Sequence, residues 1–290
     1  MSKYLSKKIK NIIDNISDSE TPKDKLQHLK KEIEKDLKCL SDNQNLRVCS
    51  NKKAGWKKND GGCLLPCRKN RTPTGNLSCS NNAKPEEEVV FERAIFNSGE
   101  LSGYELLTYE APFFRHGKNN KGSEISTSSV KCDLVGLKKK EFCCIELKTN
   151  PNSPVTQIPY ALLEAFSYWI CATWIYENRK KDLSVEIAHA NSQRPSALEP
   201  INDIQIEKIS FAVAVTEKYI RDYNTGDLPL IQILEKAIEN ICPNHFSGYW
   251  ILSPEHPKTP IEKTDAPAQG TAKRPHREHT QATPERARPE

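Results

Sequence analysis

Residues 131–168, KCDLVGLKKKEFCCIELKTNPNSPVTQIPYALLEAFSY, constrain what this chain can fold into more than any other stretch. Two short apolar runs, 130–137 and 142–147, are rich in Val, Ile, Leu, Phe and Cys, and runs of that length favour strands over helices. Between them Lys138, Lys139, Lys140 and Glu141 offer no apolar residue, so the chain turns there. Side chains alternate along a strand, which puts Phe142, Cys144, Glu146 and Lys148 on one face and Cys143, Ile145 and Leu147 on the other. A two-residue turn at Lys139 and Lys140 sets Asp133 directly opposite Glu146. A four-residue loop leaves the two carboxylates diagonal on the same face, and a three-residue loop separates them onto opposite faces. Lys-Lys is poor chemistry for a primed turn, which favours Gly or Asn.

Two carboxylates on one face repel unless a cation neutralises them, and their hard oxygen atoms suit Mg²⁺ or Mn²⁺. A lysine beside them can orient a water and offset charge building on a phosphate. Alternating charges on an exposed strand face are the competing explanation of a Glu-x-Lys sequence, and the upstream Asp at hairpin distance weighs against it. Asp133 on one strand, with Glu146 and Lys148 on the next, resembles the active-site hairpin of the PD-(D/E)XK nuclease superfamily, the restriction-endonuclease-like fold. Asp133 matches the first acid, Glu146 and Lys148 match the Glu-x-Lys pair, and Cys132 stands where that family has Pro.

The resemblance implies that Asp133, Glu146 and the backbone carbonyl of Leu147 bind Mg²⁺ or Mn²⁺, and that Lys148 orients the attacking water. Many members draw a further acidic ligand from the first core helix, for which Glu88 is the candidate and Glu92 the reserve. A simple capping role for the acids of that helix is the other explanation, because Pro85 and three glutamates suit a helix N-terminus. Gln157 and Tyr160 resemble the Gln–Tyr signature that RecB-like nucleases carry on the helix after Glu-x-Lys. The interval QIPY is one residue shorter than the familiar form. Gln157 would help position water or substrate; a surface role is its alternative.

The rest of the chain divides around this core. Residues 1–42 carry two apolar stripes at helical spacing, Ile9, Ile12, Ile13 and Ile16, then Leu26, Leu29, Ile33 and Leu37, with Ser19, Thr21 and Pro22 between. They predict a helical hairpin whose stripe packs on the rest of the chain, on a second copy or on another protein. Residues 43–84 are loop-like, and nine Lys and Arg stand there against Asp60 alone. Lys52, Lys53, Lys57 and Lys58 can neutralise phosphates, and Trp56 among them can stack on an unpaired base; a solvated linker is the alternative. Cys49, Cys63, Cys67 and Cys79 are candidate Zn²⁺ ligands, although their spacing matches no standard knuckle and unligated thiols explain them as well.

Residues 85–254 form the expected α/β core, a mixed β-sheet flanked by helices. A helix opens it, and strands are predicted over 104–114, 183–189, 209–215 and 249–252 beside the hairpin, with an amphipathic helix over 228–241. His189, within the 183–189 pattern, is expected as a core or rim residue. The loop 115–129, with Arg115, His116, Lys118 and Lys121, can contact a phosphate backbone. Residues 255–290 are dominated by Pro, Lys, Arg, Glu, Ala and Thr and are expected to be disordered.

The 290 residues carry a net charge of +5 and ten cysteines, without a secretory signal or an apolar run long enough for a membrane span. Reduced thiols or a metal site, and a cytoplasmic location, are the expectation. No GK[ST] phosphate loop, HExxH or GxSxG occurs. The expected activity is metal-dependent hydrolysis of phosphodiester bonds, with DNA as the nucleic-acid partner, in restriction, repair or defence. The alternative is a non-catalytic nucleic-acid-binding or assembly module of nuclease-like fold.

Overall fold

The computed structural model of the chain describes residues 3–16, 21–42, 88–114, 130–149, 157–192, 194, 198–223 and 228–252. The basic segment 43–84, the loop 115–129 and the tail 255–290 lie outside the described residues. Helices α1 (Lys3–Asp14) and α2 (Pro22–Asp42) are the expected hairpin. Thr21 opens the second one: its Oγ1 accepts from Asp24 N at 3.4 Å, which satisfies one of the first-turn N–H groups. Helix α3 (Glu88–Ser98) ends at Gly99, whose φ of +85° suits a residue without a Cβ; an added Cβ would meet Leu198 Cδ2 at 2.5 Å.

Six strands then build one sheet in the order of the chain. The short β1 (Glu100–Leu101), β2 (Tyr104–Phe114), β3 (Val130–Lys138) and β4 (Glu141–Lys148) pair antiparallel, each with the next. Helices α4 (Ile158–Asn178) and α5 (Lys180–Ser192) carry the chain over to β5 (Lys208–Thr216), which lies parallel to β4. Helices α6 (Glu217–Asp222) and α7 (Leu228–Ile241) lead to β6 (Phe246–Leu252), parallel to β5. Parallel neighbours need such crossovers, and the helices they supply cover the sheet. This is a mixed α/β architecture.

The burial of β4 and β5 explains their composition. Every residue from Phe142 to Lys148 and from Ile209 to Val215 is buried, so both faces of the sheet are covered. On one face Val135, Phe142, Cys144, Phe211 and Val213 share a core with Leu162, Ala165, Phe166 and Trp169 of α4. The indole N–H of Trp169 donates to the Ile209 carbonyl at 3.1 Å and anchors the helix to β5. On the other face Leu134, Cys143, Ile145, Leu147, Ala212 and Ala214 cluster with Ile95 and Phe96 of α3. The apolar stripe of the N-terminal hairpin finds its partner within the chain. Ile9, Leu26, Leu29 and Leu37 belong to the α4-side core, and α2 packs on α4 and α7.

One strand expectation fails. Residues 183–189 alternate Leu, Val and Ile, yet they lie in α5. A strand would put Leu183, Val185 and Ile187 on one face. The helix instead buries Leu183, Ile187 and Ala190, at steps of four and three, and leaves Val185 42% exposed. His189 therefore belongs to a helix, and its side chain lies outside the described residues. Among the described residues no helix is long and apolar enough to cross a membrane.

Candidate active site at the open end of the β3–β4 hairpin

The pairing of β3 with β4 runs Lys138↔Glu141, Leu137↔Phe142, Gly136↔Cys143, Val135↔Cys144 and Leu134↔Ile145. Lys139 and Lys140 are thus the two-residue turn; the paired register ends at Leu134↔Ile145, one residue short of Asp133 on β3. Here the backbone ladder gives way to a side chain: Asp133 Oδ2 accepts from Leu147 N at 2.8 Å. Asp133 is half-buried.

Glu146 and Lys148 share the face of β4 that α4 covers, as Phe142 and Cys144 do. Lys148 Nζ donates to Glu146 Oε1 and stands 3.3 Å from Glu164 Oε2, a carboxylate supplied by α4. The residue exposures of Glu146, Lys148 and Glu164 are 1%, 6% and 2%, so this is an ion cluster within the core. The second oxygen of Glu146, Oε2, is buried without a hydrogen-bond donor. Glu164 Oε2, despite its approach to Lys148, lacks the geometry of a hydrogen bond. Burial pushes the Glu164 carboxyl well above the usual carboxylate range; the neighbouring Glu146 adds to this and Lys148 opposes it. Tyr168, one helical turn beyond Glu164 and 1% exposed, is likewise raised, first by burial and then by Glu146, Glu164 and Asp133. Glu146, Lys148 and Glu164 therefore meet in one buried spot between β4 and α4.

Cys132 also borders this spot. Its Sγ lies 3.0 Å from the Leu134 carbonyl and 3.6 Å from that of Ile145, and burial, Cys144 and Glu146 raise its thiol. Cys132, Cys143, Cys144, Cys171 and Cys242 are all free and buried. Thiols held protonated in this way pack as apolar side chains and are poor nucleophiles or ligands.

Gln157 occupies the N-cap position of α4 with φ −73° and ψ 154°, and its side chain makes no capping bond. Its amide is half-buried at the start of the helix that carries Glu164. Tyr160 is 3% exposed and packs into the α4-side core. Glu88 is the first residue of α3, and its side chain lies outside the described residues. Glu92 is 3% exposed on the same helix, which packs on the opposite face of the sheet from α4. Lys52, Lys53, Trp56, Lys57 and Lys58, and the candidate zinc ligands Cys49, Cys63, Cys67 and Cys79, lie outside the described residues.

Glu164 and Tyr168 are the residues that sequence patterning passed over. The signal was present: Glu164 is the only acidic or basic residue between Ile158 and Tyr176, within a helix otherwise apolar enough to be buried all round. A charge in such a helix requires a partner.

The donor chemistry suits a hard divalent cation. Glu146 and Glu164 share Lys148, and one oxygen of each is buried without a hydrogen-bond partner. Among the described residues no group of three or more His, Cys, Asp or Glu could hold a metal ion. Mg²⁺ does not need one, since it usually keeps several waters and takes one or two carboxylates. No family model matches this sequence, and no curated protein or solved structure matches it either.

Proposed function

We propose that the chain is a Mg²⁺- or Mn²⁺-dependent nuclease of the PD-(D/E)XK type, hydrolysing phosphodiester bonds in DNA. The observation that carries this is the buried Glu146–Lys148 pair beside Asp133, whose carboxylate is pinned to the N–H of Leu147. A purely structural ion cluster is the weaker account. Burying charge is unfavourable, and apolar replacements of such clusters are commonly neutral or stabilising, so stability alone gives little reason for it. The order of the sheet, an antiparallel hairpin followed by a helical crossover into a parallel strand, also agrees with a restriction-endonuclease-like core.

Asp133 and Glu146 would hold the cation, together with the Leu147 carbonyl, which leaves the strand on the same side as the N–H bound to Asp133. The cation, when bound, supplies Lewis-acid stabilisation and a more acidic water. Lys148 orients that water through Nζ and donates to the phosphoryl oxygen as negative charge builds there. The water oxygen would form its bond to phosphorus and release a proton to solvent as the opposite P–O ester bond breaks, and the leaving oxygen would take up a proton from solvent. Gln157, at the mouth of α4 with an amide uncommitted to capping, helps position water or substrate. The basic residues Lys52, Lys53, Lys57 and Lys58, with Trp56 for stacking, would hold the nucleic-acid backbone.

Cleavage of supercoiled plasmid with Mg²⁺, Mn²⁺ or EDTA tests this, comparing wild type with Asp133→Asn and Lys148→Ala. The expected result is nicking that needs the metal and falls by about a hundredfold or more in each variant. Because Lys148→Ala strips two buried carboxylates of their cation, circular dichroism must show that it is folded; Asp133→Asn preserves the acceptor for Leu147 N–H. DNA binding without cleavage, unchanged by either substitution, would replace the nuclease with a non-catalytic binding or assembly module.

A further inference from the structure

We propose that Glu164, on α4, is a positioning residue for Lys148: it fixes the ammonium that meets water and phosphate. This rests on the nuclease reading given above and asks for no contact between Glu164 and the cation. Lys148 Nζ donates to Glu146 and stands 3.3 Å from Glu164 Oε2, so one ammonium is held from two elements, β4 and α4. Glu146 is also a proposed cation ligand, and a carboxylate drawn onto a divalent ion becomes a weaker partner for an ammonium. Lysine carries its charge on a flexible four-carbon stem, so losing that partner would leave Nζ poorly placed. Glu164 offers the second fixed point. Its Oε2 has no hydrogen-bond partner in this state and is available as Lys148 turns from Glu146. The acid is 2% exposed, and its helix is seated on both β4 and β5, with the Trp169 indole N–H donating to the Ile209 carbonyl at 3.1 Å. The contact requires only an oxygen facing Nζ, which the ionised and the protonated carboxyl both provide. Stability does not account for the acid. Ala161, Leu162, Leu163, Ala165 and Phe166 around it are buried, and an apolar side chain at 164 would match them. Apolar replacements in buried ion clusters are commonly neutral or stabilising.

The test uses the full chain and supercoiled plasmid at saturating Mg²⁺. Values of kcat and KM are measured for wild type, Glu164→Met and Glu164→Gln, with urea melts in EDTA for stability and titration calorimetry for Mn²⁺ affinity. Glu164→Met keeps the length of the side chain and removes its oxygens; it should lower kcat by about tenfold or more at unchanged KM. Its urea midpoint should not fall, and its Mn²⁺ affinity should change far less than kcat, a combination that a merely structural acid would not give. Glu164→Gln retains an oxygen for Nζ and should restore most of kcat. Should Glu164→Met not fold, Glu164→Leu carries the same comparison. Wild-type kcat in a folded variant without the oxygens would remove Glu164 from any role in placing Lys148 and leave the nuclease proposal standing. Plasmid left intact by the wild type with both Mg²⁺ and Mn²⁺ would overturn both.

Discussion

At the scale of single residues, Glu164 couples the site to stability. Its carboxyl is raised by burial first and by Glu146 second, so the folded chain keeps a proton that the unfolded chain gives up at lower pH. The associated stability is whole below the ordinary carboxylate range. It is lost as pH climbs toward the folded value, at up to about 1.4 kcal/mol per pH unit for one proton. Thermal melts in EDTA from about pH 5 to about pH 9 should therefore show wild type losing more stability with rising pH than Glu164→Gln. Parallel curves would mean that this carboxyl does not titrate differently on folding. Glu146 and Lys148 were legible as neighbours on one face of β4 because strand alternation fixes which side chains share a face. Glu164 was not, because periodicity marks where polar residues sit on a helix but not whether that side is covered. Only the tertiary fact that α4 is buried from Ile158 to Ala172 sets its one acid beside Lys148 in the core.

At the scale of elements, the hairpin register rests on a turn of unfavourable chemistry. Lys139 adopts φ +55°, the left-handed region that Asn and Gly tolerate and Lys does not. The turn is held from outside, since the Lys140 carbonyl accepts from Glu207 N at 2.8 Å and its Nζ pairs with Glu207. Lys139→Asn should raise unfolding free energy by about 1 kcal/mol, read as a higher urea midpoint at an unchanged slope; an unaltered or lower midpoint would show that the conformation carries no strain. Packing thus selected a two-residue turn that local propensity disfavours, and the open choice among loop lengths could be closed only by the sheet. The same ambiguity explains α5. Its Leu-x-Val-x-Ile pattern satisfies a strand as readily as a helix over so few residues. What decides is Glu186 and Ala190, both buried, which extend the buried side at helical rather than alternating steps. The short β1 and α6 gave no pattern long enough to register at all.

At the scale of the whole molecule, the N-terminal hairpin is part of the structure that presents the site. Leu26, Leu29 and Leu37 are at most 1% exposed and share one continuous core with Phe166, Trp169 and Phe211, beneath the helix that carries Glu164 and Tyr168. Sequence patterning showed that the stripe needed a partner; which one depended on an apolar outer side of α4 and α7 that only the assembled fold reveals. The hairpin and the sheet belong to one compact unit, so the hairpin should unfold with the sheet and not ahead of it. Leu29→Ala, far from the ion cluster in sequence, should lower the stability of the whole unit by about 2–5 kcal/mol. The helical signal in far-ultraviolet circular dichroism and the fluorescence of the chain's tryptophans, Trp169 among them, should then shift together to one lower midpoint. An early helical transition that leaves the fluorescence midpoint in place would make the hairpin a separate appendage. In a shared core, loosening Leu29 loosens the bed of α4. Affinity for the proposed cation in Leu29→Ala should then fall only when temperature approaches the new midpoint, because the proposed ligands Asp133 and Glu146 are untouched.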